Sequence, residues 1–121
     1  MTRRTWVLVL AMASTTVGSA KESLSIRVSP ATSFAPTNLV IQARVEPDAN
    51  NRAIEVVADS EEFYRASTMP LEGDRAARTT MFQFRSLPPG EYEVTAALIG
   101  ADGRLRATAH SHVDVIDSSL H

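Results

Sequence analysis

Apolar and polar residues alternate along most of this chain, and clusters of turn-forming residues interrupt the alternation about every ten residues. Successive side chains on a β-strand point to opposite faces, so this period predicts strands that are each buried on one side. Longer helix-period stretches are absent from the sequence. Seven segments follow the pattern: 24–28, 39–45, 54–58, 63–68, 80–84, 92–98 and 105–115. The sequence therefore predicts an all-β fold, a single seven-stranded Greek-key β-sandwich.

The last predicted strand sets which residues face the core and which face solvent. Its alternation places six residues inward: Leu105, Ala107, Ala109, Ser111, Val113 and Val115. The intervening polar residues are then expected on the outer face. The preceding 100–103 turn, Gly-Ala-Asp-Gly, predicts a hairpin with the 92–98 strand.

The first twenty residues have the three parts of a secretory signal peptide. Arg3 and Arg4 form a basic start, residues 6–13 form a short apolar run, and Gly18-Ser19-Ala20 supplies small residues for cleavage. The apolar run is shorter than the roughly 20 residues that a membrane-spanning helix needs. We therefore expect a signal peptide at 1–20, a domain at 21–121, a secreted or periplasmic product, and no membrane insertion after cleavage.

Charge and cysteine content exclude several classes of function. The chain has 12 Lys and Arg against 14 Asp and Glu. Loss of Arg3 and Arg4 with the signal would lower the net charge from −2 to about −4. A chain this acidic, with its charges interspersed, is not expected to bind nucleic acid. It has no cysteine, which excludes disulfides, thiolate metal ligands and cysteine nucleophiles.

One local motif resembles a known feature of sandwich folds. Residues 87–94, Leu-Pro-Pro-Gly-Glu-Tyr-Glu-Val, place Tyr92 at the start of a strand directly after a turn. This resembles the tyrosine corner of immunoglobulin-like and fibronectin type III-like domains, and the strand pattern extends the resemblance over about residues 24–116. The resemblance implies that the Tyr92 hydroxyl bonds to the backbone upstream. It implies a fold and no activity.

A second set of residues has the chemistry of a metal site. His110, His112 and Asp114 are spaced two apart, so they share one face of the last strand, about 7 Å between successive residues. Two imidazoles and a carboxylate are suitable ligands for zinc or copper. Exposed polar residues on the outer face of a sheet are the alternative interpretation of the same pattern.

Phe63, Tyr64 and Arg65 form a third candidate set, suited to contact with a protein or a sugar. One of the two adjacent aromatic side chains should face the core and the other solvent. Catalytic signatures are absent: the sequence has no Gly-x-Ser-x-Gly nucleophile motif and no glycine-rich phosphate loop. Glu91 and Glu93 share one strand face and do not flank a cleft as glycosidase carboxylates do.

These observations lead to two expectations for function. The first is a non-catalytic exported binding or structural module without a cofactor, whose partner is another envelope or extracellular protein or a polysaccharide. The alternative is a periplasmic copper- or zinc-binding protein that uses His110, His112 and Asp114. Substitution of the histidines should distinguish the two.

Overall fold

The computed structural model describes residues 23–117, which form two packed β-sheets. Its eight strands are β1 (Leu24–Ser29), β2 (Thr32–Phe34), β3 (Thr37–Val45), β4 (Asn51–Asp59), β5 (Tyr64–Pro70), β6 (Thr79–Leu87), β7 (Gly90–Gly100) and β8 (Leu105–Ile116). A short 3-10 helix spans Gly73–Arg75. The all-β prediction is confirmed. The predicted signal peptide lies outside the described residues.

The strands form a three-stranded sheet in the order β1-β3-β6 and a five-stranded sheet in the order β2-β8-β7-β4-β5. The chain crosses from one sheet to the other five times, at the β1–β2, β2–β3, β3–β4, β5–β6 and β6–β7 connections. All pairings are antiparallel except that of β2, which runs parallel to the end of β8. This two-sheet architecture is consistent with an immunoglobulin-like sandwich.

The prediction of seven strands is wrong by one, because β2 was not expected. It has only three residues, Thr32–Phe34, and it lies between Pro30 and Pro36, two residues that cannot donate to a ladder. Three residues are too few for an alternation of apolar and polar residues to be recognised in the sequence. It is held by pairing with β8 and by the hydrogen bond from the Asp114 amide to the Ala31 carbonyl, 2.9 Å.

The core lies between the two sheets and consists of the inward residues of the alternating strands together with Leu71, which follows β5. Its members are apolar apart from the Tyr92 hydroxyl, and each is at most 8% exposed: Leu24, Leu39, Ile41, Ala43, Val45, Ile54, Val56, Ala58, Leu71, Phe82, Phe84, Leu87, Tyr92, Val94, Ala96, Leu98, Val113 and Val115. Burial of a side chain such as Leu39 contributes about 1.5–3 kcal/mol to folding. The chain has no disulfide, so this packing stabilises the sandwich.

Tyr92 forms the expected corner at the start of β7. Its side chain is fully buried, and its hydroxyl donates to the Pro88 carbonyl at 2.7 Å. The ring of Phe63 packs edge-on against it, with centroids 6.3 Å apart. Burial raises the pKa of Tyr92 above its ordinary value of 10.0, while the Ser60 hydroxyl and Arg65 act in the opposite direction. Tyr92 therefore fixes the turn at 88–89 to the core.

Leu105 departs from the predicted inward row and is 61% exposed. The ladder between β7 and β8 shifts register between Leu98 and Ile99, so Ile99 pairs with Leu105 and Leu98 with Ala107. The extra residue, Arg106, reverses the direction of the side chains that precede it. From Ala107 to Val115 the predicted alternation is confirmed, with Val113 and Val115 buried.

Candidate metal site

The outer face of the five-stranded sheet carries a compact group of imidazole and carboxylate side chains. The antiparallel register places Glu91 opposite Asp114, Glu93 opposite His112, and Thr95 opposite His110. The residues between them, such as Tyr92 and Val113, fill the core. The same alternation that buries Tyr92 and Val113 therefore directs their polar neighbours to the outside.

Three of these residues bring potential ligand atoms close together. Glu91, His112 and Asp114 each offer one atom, and these atoms all lie within 4.8 Å of one another. The closest pair is His112 Nε2 and Asp114 Oδ1, 2.9 Å apart. Ligand atoms around a tetrahedral zinc ion lie about 3.3 Å apart, given bonds of about 2.0 Å. Small side-chain rotations would therefore bring Glu91 into the same coordination sphere.

Glu93 lies on the other side of the His112 ring from Asp114. Its Oε1 is 4.0 Å from His112 Nδ1, and its Oε2 is 4.0 Å from His110 Nδ1. A histidine that binds a metal through one nitrogen commonly donates its other N–H to a carboxylate, which fixes the ring orientation. Glu93 is placed to accept such a bond from His112 when Nε2 faces the metal.

The electrostatics of this group favour a cation. Glu91, Glu93 and Asp114 contribute three carboxylates, and within residues 23–117 the basic groups within 4.0 Å of Glu93 and Asp114 are imidazoles, which are charged only when protonated. The sequences of β7 and of β8 from Thr108 onward contain no Lys or Arg. A divalent ion would supply the missing positive charge.

The structure brings together part of the metal set predicted from sequence and adds one residue to it. His112 and Asp114 meet, whereas His110 lies one strand repeat away and makes a 3.5 Å contact with Thr95 Oγ1. Glu91 takes its place in the group. Sequence reasoning missed Glu91 because its partner depends on the register shift near Ile99: without the shift, Glu91 would oppose Val113.

The other predicted contact set is divided between two sides of β5. Tyr64 is 62% exposed on the outer face. Phe63 packs against the core, and the Arg65 guanidinium lies over its ring, 5.1 Å from the centroid. Phe63 is therefore partly buried against the core, while Tyr64 is exposed. Phe63, Tyr64 and Arg65 do not form one continuous contact surface, since Arg65 covers Phe63 on the inner side.

Comparisons with known proteins give similarities of fold. No family model matches the sequence, and no curated protein matches it. Among solved structures, the chain is similar to a superoxide reductase (neelaredoxin) from Ignicoccus hospitalis, with a TM-score of 0.62 and 17% identity over 78% of this chain and 80% of that one. A variant of the same reductase gives 0.59 and 14% over 84% and 85%.

A third structure of similar fold is a CARDB domain from Pyrococcus furiosus, described in complex with di-metal ions. Its TM-score is 0.50, with 11% identity over 79% of this chain and 93% of that domain. All of these identities are low, so the similarities establish a shared sandwich fold. They transfer no ligand set residue by residue.

The leading expectation from sequence, a non-catalytic exported binding or structural module, is contradicted. Two of the structural neighbours are superoxide reductases, which is the finding against a non-catalytic module. The alternative expectation, a metal-binding protein, agrees better with the histidine–carboxylate group on the sheet. The sequence favoured the binding module over the metal-binding protein because exposed histidines on a strand are usually ordinary surface residues. It also gave no sign that Glu91 is their neighbour.

Proposed function

We propose that this protein binds a divalent transition metal, copper or zinc, on the outer face of its five-stranded sheet. The observation that carries the proposal is the convergence of Glu91, His112 and Asp114, whose ligand atoms lie within 4.8 Å of one another. Glu93 would accept a hydrogen bond from His112 and orient its ring. The metal-binding function rests on this geometry, and the similar folds support it.

The donor set selects among metals. Calcium and magnesium are bound almost entirely by oxygen, so the imidazole of His112 favours zinc or copper(II). Thioether and thiolate ligands, which favour copper(I), are absent from this group of described residues. Copper(II) should bind more tightly than zinc, following the general order of affinity for nitrogen and oxygen ligands.

The exposure of the site sets its expected character. The His112 and Asp114 side chains are 55% and 47% exposed. Three protein ligands on an open face leave one position of a tetrahedral ion accessible, as in catalytic rather than structural zinc sites. Such a site can exchange its metal or accept a further ligand.

Isothermal titration calorimetry on protein without a polyhistidine tag tests the proposal. Copper(II) or zinc should bind the wild-type protein, and His112→Ala should weaken binding by more than about tenfold. Loss of a residue that only hydrogen-bonds to a metal ligand commonly weakens binding about tenfold, and His112 would be a ligand itself. Asp114→Asn should act in the same direction. Equal affinity in the wild-type protein and His112→Ala would refute the assignment.

Two control variants test whether a loss of metal binding is specific to the proposed site. Glu55→Gln removes a carboxylate from β4, where Glu55 pairs with Ala97, two rows from the Glu93–His112 pair. His121→Ala removes the third histidine of the chain, which lies outside the described residues. Both variants should bind metal as the wild-type protein does. Loss of binding in His121→Ala alone would move the site to the C-terminal tail.

Export and partners remain predictions from the sequence. The features of residues 1–20 support cleavage after Ala20 and a secreted or periplasmic location. Such a location would expose the site to copper and zinc outside the cytoplasm. Mass spectrometry of protein recovered from its host would test cleavage, because the mature chain should begin at Lys21.

A further inference from the structure

We infer that a second copy of this chain completes the metal site, with the second copy's His110 as the fourth ligand. The inference rests on the proposed metal site and adds a partner to it. In the resulting symmetric dimer, each ion would be held by Glu91, His112 and Asp114 of one copy and by one imidazole from the other. The set of two copies would therefore bind two ions.

The shape of the site explains why one copy does not complete it. Glu91, His112 and Asp114 lie on adjacent strands of one sheet face, so they approach an ion from one side. His110 of the same chain is one strand repeat from His112, about 7 Å along β8, more than twice the spacing of ligand atoms around zinc. It lies outside the group of converging atoms. The open position therefore points away from the sheet.

His110 is available to another molecule. Its side chain is 60% exposed, and its Nδ1 contacts are long, 3.5 Å to Thr95 Oγ1 and 4.0 Å to Glu93 Oε2. Two packed sheet faces lie about 10 Å apart, with side chains from both filling the space. An imidazole from one face can therefore reach an ion seated on the other.

Apolar side chains flank the site on the same face. Phe34 and Ile116 are opposite each other in the pairing of β2 with β8, and they are 53% and 38% exposed. On the other flank, Tyr64 is opposite Asp59, which is opposite Glu93. A polar centre between exposed apolar residues is a surface suited to burial against a symmetric partner, where the aromatic residues would pack.

Charge makes this association depend on metal. Two faces that each carry Glu91, Glu93 and Asp114 repel one another when they approach without a counter-ion. Two divalent ions at the interface offset four of these six carboxylate charges. The apo protein should therefore be a monomer under conditions in which the metal-loaded protein is a dimer.

Sedimentation velocity with and without about one equivalent of zinc chloride per chain tests the inference. The wild-type protein should change from monomer to dimer with zinc and return to monomer with EDTA. His110→Ala should still bind zinc in calorimetry, about tenfold more weakly, and should remain a monomer. Glu55→Gln, the control on the same face, should dimerise as the wild-type protein does.

A mixing experiment identifies the ligand contributed in trans. Neither His110→Ala nor His112→Ala should dimerise alone with zinc. Their equimolar mixture should form heterodimers, because His110→Ala retains the three-ligand group and His112→Ala retains the proposed fourth ligand, His110. A zinc-loaded wild-type monomer, or zinc-dependent dimers of His110→Ala, would overturn the inference while leaving the metal site in place. Absence of zinc and copper binding in the wild-type protein would instead refute the proposed function.

Discussion

Replacement of Tyr92 by Phe removes a single hydroxyl from the best-defined corner of the fold. The hydroxyl is buried and donates to the Pro88 carbonyl at 2.7 Å, while the ring fills the core and meets Phe63. Tyr92→Phe keeps the ring and its packing, so the change isolates the hydrogen bond. A neutral intramolecular hydrogen bond contributes about 1 kcal/mol net, and the Pro88 carbonyl loses its donor, which adds to the loss.

We expect the free energy of unfolding to fall by about 1–2 kcal/mol in Tyr92→Phe. In a domain of this size each kcal/mol corresponds to a decrease of about 4–8 °C in Tm. Urea denaturation followed by circular dichroism measures the change, and the slope with denaturant should stay the same because the core surface is unaltered. Metal affinity should also be unchanged, since Tyr92 points away from His112.

Tyr64→Phe is the matched control, because it makes the same chemical change on an exposed side chain. Its stability should stay within about 0.5 kcal/mol of the wild-type value, as for most surface substitutions. Equal stabilities of Tyr92→Phe and Tyr64→Phe would refute the reasoning. The corner hydrogen bond would then contribute nothing beyond what water provides to the unfolded chain.

Two further predictions concern pH and backbone conformation. Burial raises the pKa of Tyr92 above 10.0. The stability that the neutral hydroxyl contributes is therefore complete below pH 10.0 and is lost as the pH rises from there through the raised folded-state pKa. Urea denaturation at a series of alkaline pH values should show this loss in the wild-type protein and not in Tyr92→Phe. Gly73 has φ +61°, and an added Cβ would lie 3.1 Å from the Ala49 carbonyl oxygen, whereas at Gly103, with φ +80°, nothing lies within 4 Å. Each alanine introduces at least about 1 kcal/mol of backbone strain, and Gly73→Ala adds the close approach to Ala49. Gly73→Ala should therefore lower the thermal midpoint more than Gly103→Ala does, and equal midpoints would contradict the role of the close approach.

The sequence predicted the parts of the fold that depend on local pattern. Alternation identified seven of the eight strands, and the resemblance of residues 87–94 to a tyrosine corner implied the hydrogen bond of Tyr92. Both rest on residues that are close together in the chain. The prediction failed at β2, whose three residues are a strand only because β8 offers them a partner, and at Leu105, whose direction depends on a one-residue register shift.

The candidate site was predictable to the same extent. His112 and Asp114 are two residues apart on one strand, so their shared face could be read from the sequence. Glu91 lies 23 positions from Asp114 in the chain, and only the shifted register places the two opposite each other. A site built across strands needs the register as well as the alternation, and a single sequence does not contain that register explicitly.

The short strand β2 leaves part of one edge of the five-stranded sheet open. It covers one side of β8 only at residues 114–116, whereas β7 pairs with β8 along almost its whole length. In the described part of the chain, no strand is hydrogen-bonded to that side of β8 before Asp114. A strand with an open edge is a template for intermolecular pairing. The Arg106–His112 stretch of β8 is therefore one edge at which destabilised chains can pair, besides the edge strands β1, β5 and β6. Lengthening β2 would close this edge without any change to the core.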